Sequence, residues 1–183
     1  MPLDRDPLFS GLRDLFEGKP QFAADEADAA DKIATLCADY AANALAGGTA
    51  PISASISAAK TKLAQALEAA FTAAKAAGPA GVSALGLALD TAMAAFWLAP
   101  PIAFAAPPPP APPSMIGVVT VAIPAVLAPS LTALFLAGVA DKPSATAQAD
   151  SLATLLHGWT KTVMVVNTPV TPPGPPAPPT PLS

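Results

Sequence analysis

His157 is the single histidine of the chain and Cys37 the single cysteine. An imidazole beside a nucleophile would move protons near neutral pH, and imidazoles or thiols at ligand spacing would close around a metal. Neither arrangement can be assembled from one residue of each kind, and the HExxH and GxSxG patterns are missing. His157 therefore reads as a helix-end histidine at the core boundary, and Cys37 forms no intrachain disulfide. Asp25, Glu26, Asp28 and Asp31 offer oxygens to a hard cation, but a divalent site needs converging ligands. Carboxylates strung around a helix start fan apart, so they read as solvated groups that complement the helix dipole. No GxxxxGK[ST] loop and no GxGxxG turn is present to cradle a phosphate. The expectation is a non-enzymatic protein with no catalytic residue, metal, cofactor or small-molecule substrate.

Composition narrows the class of partner. The 183 residues suit one domain, and 52% hydrophobic against 12% charged residues is the opposite of a disordered polar chain. Nine Lys and Arg against thirteen Asp and Glu leave a net charge of −4 and no basic stripe, which excludes nucleic acid as a direct partner. Much of the hydrophobicity is alanine, which favours helix but buries little area, so the core is thin and calls for neighbouring subunits. The segment MPLDRDPLFSGLRDLFEGK mixes both charge signs and has no apolar run of signal-peptide length. The mature protein is expected to begin at or near Met1, without export by a cleaved signal.

The elements that must position any site are mostly helical. A short helix opens at Asp6-Pro7 and runs through Glu17 with Leu8, Leu12, Leu15 and Phe16 on one side. A second runs from about Asp25 to Leu45 on Ile33, Cys37, Tyr40 and Ala44, stopped by Gly47-Gly48. The third, from Ala50 to Ala77, carries the stripe Ile52, Ile56, Leu63, Leu67, Phe71 and Ala74, and about 25 helical residues would span roughly 38 Å. The fourth, about Ala80 to Leu98, aligns Val82, Leu85, Leu89, Met93, Phe96 and Trp97. Short loops favour antiparallel neighbours in an up-and-down bundle. Ser144 caps a last helix with Leu152, Leu155, Leu156 and Trp159 on one side, ending near Gly158 to Lys161. Phe71, Phe96, Trp97 and Trp159 are the expected core or assembly anchors.

Proline and an uncharged run set the rest. AAPPPPAPPS, Ala105 to Ser114, is a stiff extended strap within a Pro-rich stretch at 100–114, and TPVTPPGPPAPPTPLS closes the chain as a tail from 167. The domain is expected to cover 1–166. From Thr91 to Ala140 there is no charged residue or histidine, which suits a bilayer. Pro124 and Pro129 nevertheless interrupt a single span over Met115 to Ala140, and no Lys or Arg anchors the upstream flank. Two soluble elements describe it better: a strand at IGVVTVAI and a buried helix at PSLTALFLAGVA. The strand has a candidate partner in TVMVV, Thr162 to Val166. The predicted fold is mainly α, an up-and-down bundle with polyproline straps and a minor two-stranded β element.

The order APISASISAAKTKLAQALEAAF, ALDTAMAAFWLAPPIAFAAPPPPAPP and PSATAQADSLATLLHGWTKTV resembles small Ala/Pro-rich structural proteins of bacteriophages and phage-tail-like contractile injection particles, over roughly Ala50 to Val166. The resemblance implies a non-enzymatic particle subunit made in the bacterial cytoplasm, with itself or other particle proteins as partners. It transfers no functional residues. The competing expectation is a membrane-associated or membrane-inserting protein using residues 91–140.

Overall fold

The computed structural model describes residues 3–45, 49–98, 101–104, 115–119, 127–169 and 180–181. Six helices carry the fold: α1 (Arg5–Phe16), α2 (Glu26–Ala42), α3 (Ser53–Ala77), α4 (Gly81–Leu98), α5 (Leu127–Asp141) and α6 (Ala145–Thr160). Each packs on the next, and α6 packs back on α1, so the bundle is a closed ring. Up-and-down order is visible in the contacts. Arg5 at the start of α1 bonds Asp150 and Thr154 on α6 at 2.6 and 2.7 Å, while Glu17, just past the end of α1, accepts from Thr146 at 3.0 Å.

Local chemistry sets the helix ends. The cap of α1 is Asp4, whose carboxylate accepts the Asp6 N–H at 3.0 Å, so the helix starts earlier than Asp6-Pro7 implied. Pro7 sits in the first turn, where its missing donor is no loss. Asp25 caps α2 by accepting the Asp28 N–H at 2.8 Å, and Asp28 reaches back to the Ala24 N–H at 2.9 Å, a near relative of the capping box. The third helix begins at Ser53, and Ile52 is its uncapped boundary residue, half exposed and outside the stripe. Ser144 caps α6 through the Ala147 N–H at 3.2 Å.

Two tight crossings bring α4 against its neighbours. A 3-10 turn, Gly78–Ala80, folds α4 back on α3. A Cβ at Gly81 would lie 2.6 Å from the Ala74 carbonyl oxygen, and one at Gly86 would lie 3.0 Å from the Thr132 nitrogen on α5. Glycine at these two places lets the backbones approach to contact.

Among the described residues the β element has four short antiparallel strands in the order β1 (Ala103–Phe104), β2 (Met115–Val119), β3 (Met164–Pro169) and β4 (Thr180–Pro181). The pairing expected between the two apolar segments is present, with Val118 opposite Val166 and Val119 opposite Val165. It is longer than a two-stranded element, and β3 runs three residues past Val166 into the stretch read as tail. Residues 105–114 of the strap, Gly47-Gly48 and residues 170–179 of the tail lie outside the described residues. What precedes the strap is described: Ile102 and Phe104 are fully buried, and the Ala103 carbonyl accepts the Ile52 N–H at 2.7 Å. The Ser55 hydroxyl accepts from the Ala103 N–H at 3.2 Å, which pins this extended segment beside the start of α3.

Candidate functional site

Three of the four expected anchors are core residues. Phe96 and Trp97 are each 1% exposed and meet edge to face, with ring centroids 5.3 Å apart. Trp159 is buried on α6, and Phe71 is half-buried against the core. Among the described residues the indole N–H groups of Trp97 and Trp159 have no hydrogen-bond partner, so both rings serve the core as apolar mass at some cost in desolvation.

The acidic residues separate as their positions imply. Asp25 caps its helix, Asp28 pairs with Lys32 at 2.9 Å, Asp31 with Lys60 at 3.2 Å, and Glu26 with Lys75. Hydrogen bonds from Lys75 and Lys32 hold the Glu26 and Asp28 carboxyls below the usual carboxylate range. Among the described residues, no three Asp, Glu, His or Cys side chains converge as a metal site would need.

The residues with titratable chemistry gather at one place, and sequence spacing alone does not reveal it. The Tyr40 hydroxyl on α2 lies 2.6 Å from His157 Nδ1 on α6, and both Tyr40 and Thr160 are buried. Burial, with Lys161 and Arg5 nearby, lowers the His157 imidazole below its ordinary value. With its proton on Nε2, the neutral ring accepts the tyrosine proton at Nδ1 in a hydrogen bond. Burial raises the Tyr40 phenol and pushes the Cys37 thiol up to about 12. A phenol and thiol held protonated supply neither base nor nucleophile, so the cluster works as a polar tie between α2 and α6.

A second polar contact lies between α4 and α5. Burial raises the pKa of the Asp90 carboxyl on α4, the Ala128 N–H in the first turn of α5 works against that rise, and Asp90 Oδ1 is buried with no partner among the described residues. Through the Ala128 contact, Asp90 supplies from a neighbouring helix the capping acceptor that a helix start requires.

Inside the ring lies a cavity of about 150 Å³ to which all six helices contribute, among them Phe16, Ile33, Leu67, Leu85, Leu131 and Leu152. Outside it, the packed pair α4 and α5 presents Leu87 and Val139, each 61% exposed, and Leu136, 49% exposed. Around them the exposed positions are Ser83, Ala84, Thr91, Pro129, Ser130, Ala133, Ala137 and Ala140, so this face carries no charge until Asp141. By contrast, the outer side of α3 carries Lys62, Glu68 and Lys75.

Comparisons of the chain with protein-family models, with curated proteins and with solved structures find no match.

Proposed function

We propose that the protein is a non-enzymatic structural subunit of a virion or phage-tail-like particle, and that the α4–α5 face is its assembly surface. The observation that carries the reading is the uncharged outer face of that pair, with Leu87, Leu136 and Val139 exposed. Monomeric proteins rarely leave apolar patches beyond a few hundred Å² uncovered, and a subunit covers them with its neighbours. The resemblance to Ala/Pro-rich particle proteins points the same way. The outer side of α3 carries Lys62, Glu68 and Lys75 and suits water instead.

The membrane reading has one observation in its favour: α4 is 18 residues long with a mean hydropathy of 1.5, enough to cross a bilayer. Against it, Met93, Phe96 and Trp97 of that helix are core residues, and inserting α4 would open the ring.

Size exclusion with light scattering tests the choice. The wild-type chain should form a defined oligomer or co-purify with particle proteins, and the double variant Leu87→Glu/Val139→Glu should be monomeric with unchanged helical circular dichroism. A monomeric wild type absent from intact particles by mass spectrometry overturns the subunit reading. Quantitative recovery of the chain in carbonate-resistant membrane pellets would put the membrane reading in its place.

A further inference from the structure

A ring of six helices encloses axial space that only side chains can fill. Here Leu, Phe, Ile and Met side chains leave about 150 Å³ of it open. An empty cavity of this size forfeits the dispersion contacts of its whole lining. Its lining holds no charged or hydrogen-bonding side chain apart from the Cys37 thiol, so water finds too few partners to enter. Apolar cavities of about 150 Å³ stay dry and accept benzene-sized molecules.

The cavity is also reachable. Phe16, Leu85, Phe135 and Leu152 line both the inner space and an outer cavity of about 340 Å³ that opens beside Val82, Val139 and Gln148. Phe16, Ile33 and Phe71 line both the inner space and a broader recess of about 570 Å³ bordered by Glu26 and Lys75. Side-chain rotation at Phe16 or Phe135 would join inside to outside without breaking a helix. The polar groups stand at the outer rims, and the inner end is hydrocarbon.

We propose that the lumen of the helical ring is a binding site for a small hydrocarbon group of about six carbons, a free apolar molecule or the end of an unbranched chain whose polar head stays at the rim. The length follows from the benzene-sized volume. Contact with Cys37 is non-covalent, since its thiol stays protonated.

The test uses the full chain with benzene and with n-alkanols from butanol to decanol, read by methyl NMR. Benzene should shift the methyls of Ile33, Leu67, Leu85 and Leu131 and leave those of Leu87 and Leu136, which line neither cavity, unmoved. Alkanol affinity should rise about fourfold per added methylene up to about six carbons and then level off, as burial at about 0.8 kcal/mol per methylene requires. Levelling with chain length supports a tail ligand, and benzene binding without the alkanol trend confines the site to free apolar molecules. Leu85→Phe should weaken benzene binding at least tenfold. If that variant does not fold, xenon binding to the wild type gives the same information, with saturable lumen shifts expected. No lumen shifts with saturating benzene and xenon, or equal shifts at Leu87 and Leu136, would overturn the proposal. A Leu87→Glu variant, changed on the α4–α5 face away from both cavities, should bind like wild type, which separates this site from the assembly surface.

Discussion

Truncating Trp97 tests whether its ring is the keystone of the α4 contact with the ring interior. A buried tryptophan removes on the order of 200 Å² from water, worth about 5 kcal/mol at 25 cal/mol per Å². The edge-to-face contact with Phe96 adds roughly 0.5 to 1 kcal/mol. Deleting the unpartnered indole N–H returns about 1 to 2 kcal/mol of desolvation cost, so Trp97→Ala should destabilise by about 4 kcal/mol. With a urea slope near 2 kcal/mol per M, the midpoint should fall by about 2 M at fixed protein concentration. Such a loss is a large share of a normal folding free energy of about 5 to 15 kcal/mol, so the alanine variant alone is a blunt instrument. Trp97→Phe refines it. Phenylalanine keeps most of the apolar area and has no N–H to strand, so it should cost only about 1 to 2 kcal/mol. If both variants change stability by less than about 0.5 kcal/mol, the ring is not a core group. If phenylalanine costs as much as alanine, the indole N–H is satisfied and the accounting is wrong.

Four further outcomes follow from local contacts. Tyr40→Phe should cost about 1 kcal/mol in urea unfolding by stranding His157 Nδ1. Because His157 is held below its ordinary value of 6.5, the unfolded chain binds its proton more readily, so stability should be full above that pH and fall as pH drops through the lowered value. His157→Gln should flatten that part of the pH profile. Gly86→Ala should destabilise by about 1 to 3 kcal/mol despite the better helix propensity, because the added methyl meets the Thr132 backbone; a rise in melting temperature would refute the close crossing. Lys142 holds φ 46° between α5 and α6, and Lys142→Gly should raise stability by about 1 kcal/mol in thermal unfolding.

The helices were legible because their signals are local. Ser144 and Asp25 announce caps, and the Leu8/Leu12 and Leu63/Leu67 pairs recur at turn spacing, which is how the mainly helical bundle could be expected. On α4 the stripe through Leu85 and Leu89 leaves Leu87 on the other side, but an apolar residue there does not say whether water or another element covers it. The site features were less legible still. Tyr40 with His157 and Asp90 with Ala128 join residues far apart in sequence, and no spacing rule links them. The lumen is a property of six helices jointly, since no one segment encodes what the other five leave unfilled.

Ring closure by α6 on α1 has a consequence for connectivity. Joining the old termini and cutting the 3-10 turn at Gly78–Ala80 leaves every pair of neighbouring helices intact. It changes which pair is distant along the chain: α1 and α6 become successive helices, and α3 and α4 become the farthest apart. Loop-closure entropy grows slowly with length, whereas folding speed follows how local the contacts are. A circular permutant should therefore reach the same ring by a different order of events, so the architecture belongs to the set of neighbouring helices and not to the direction in which the chain visits them.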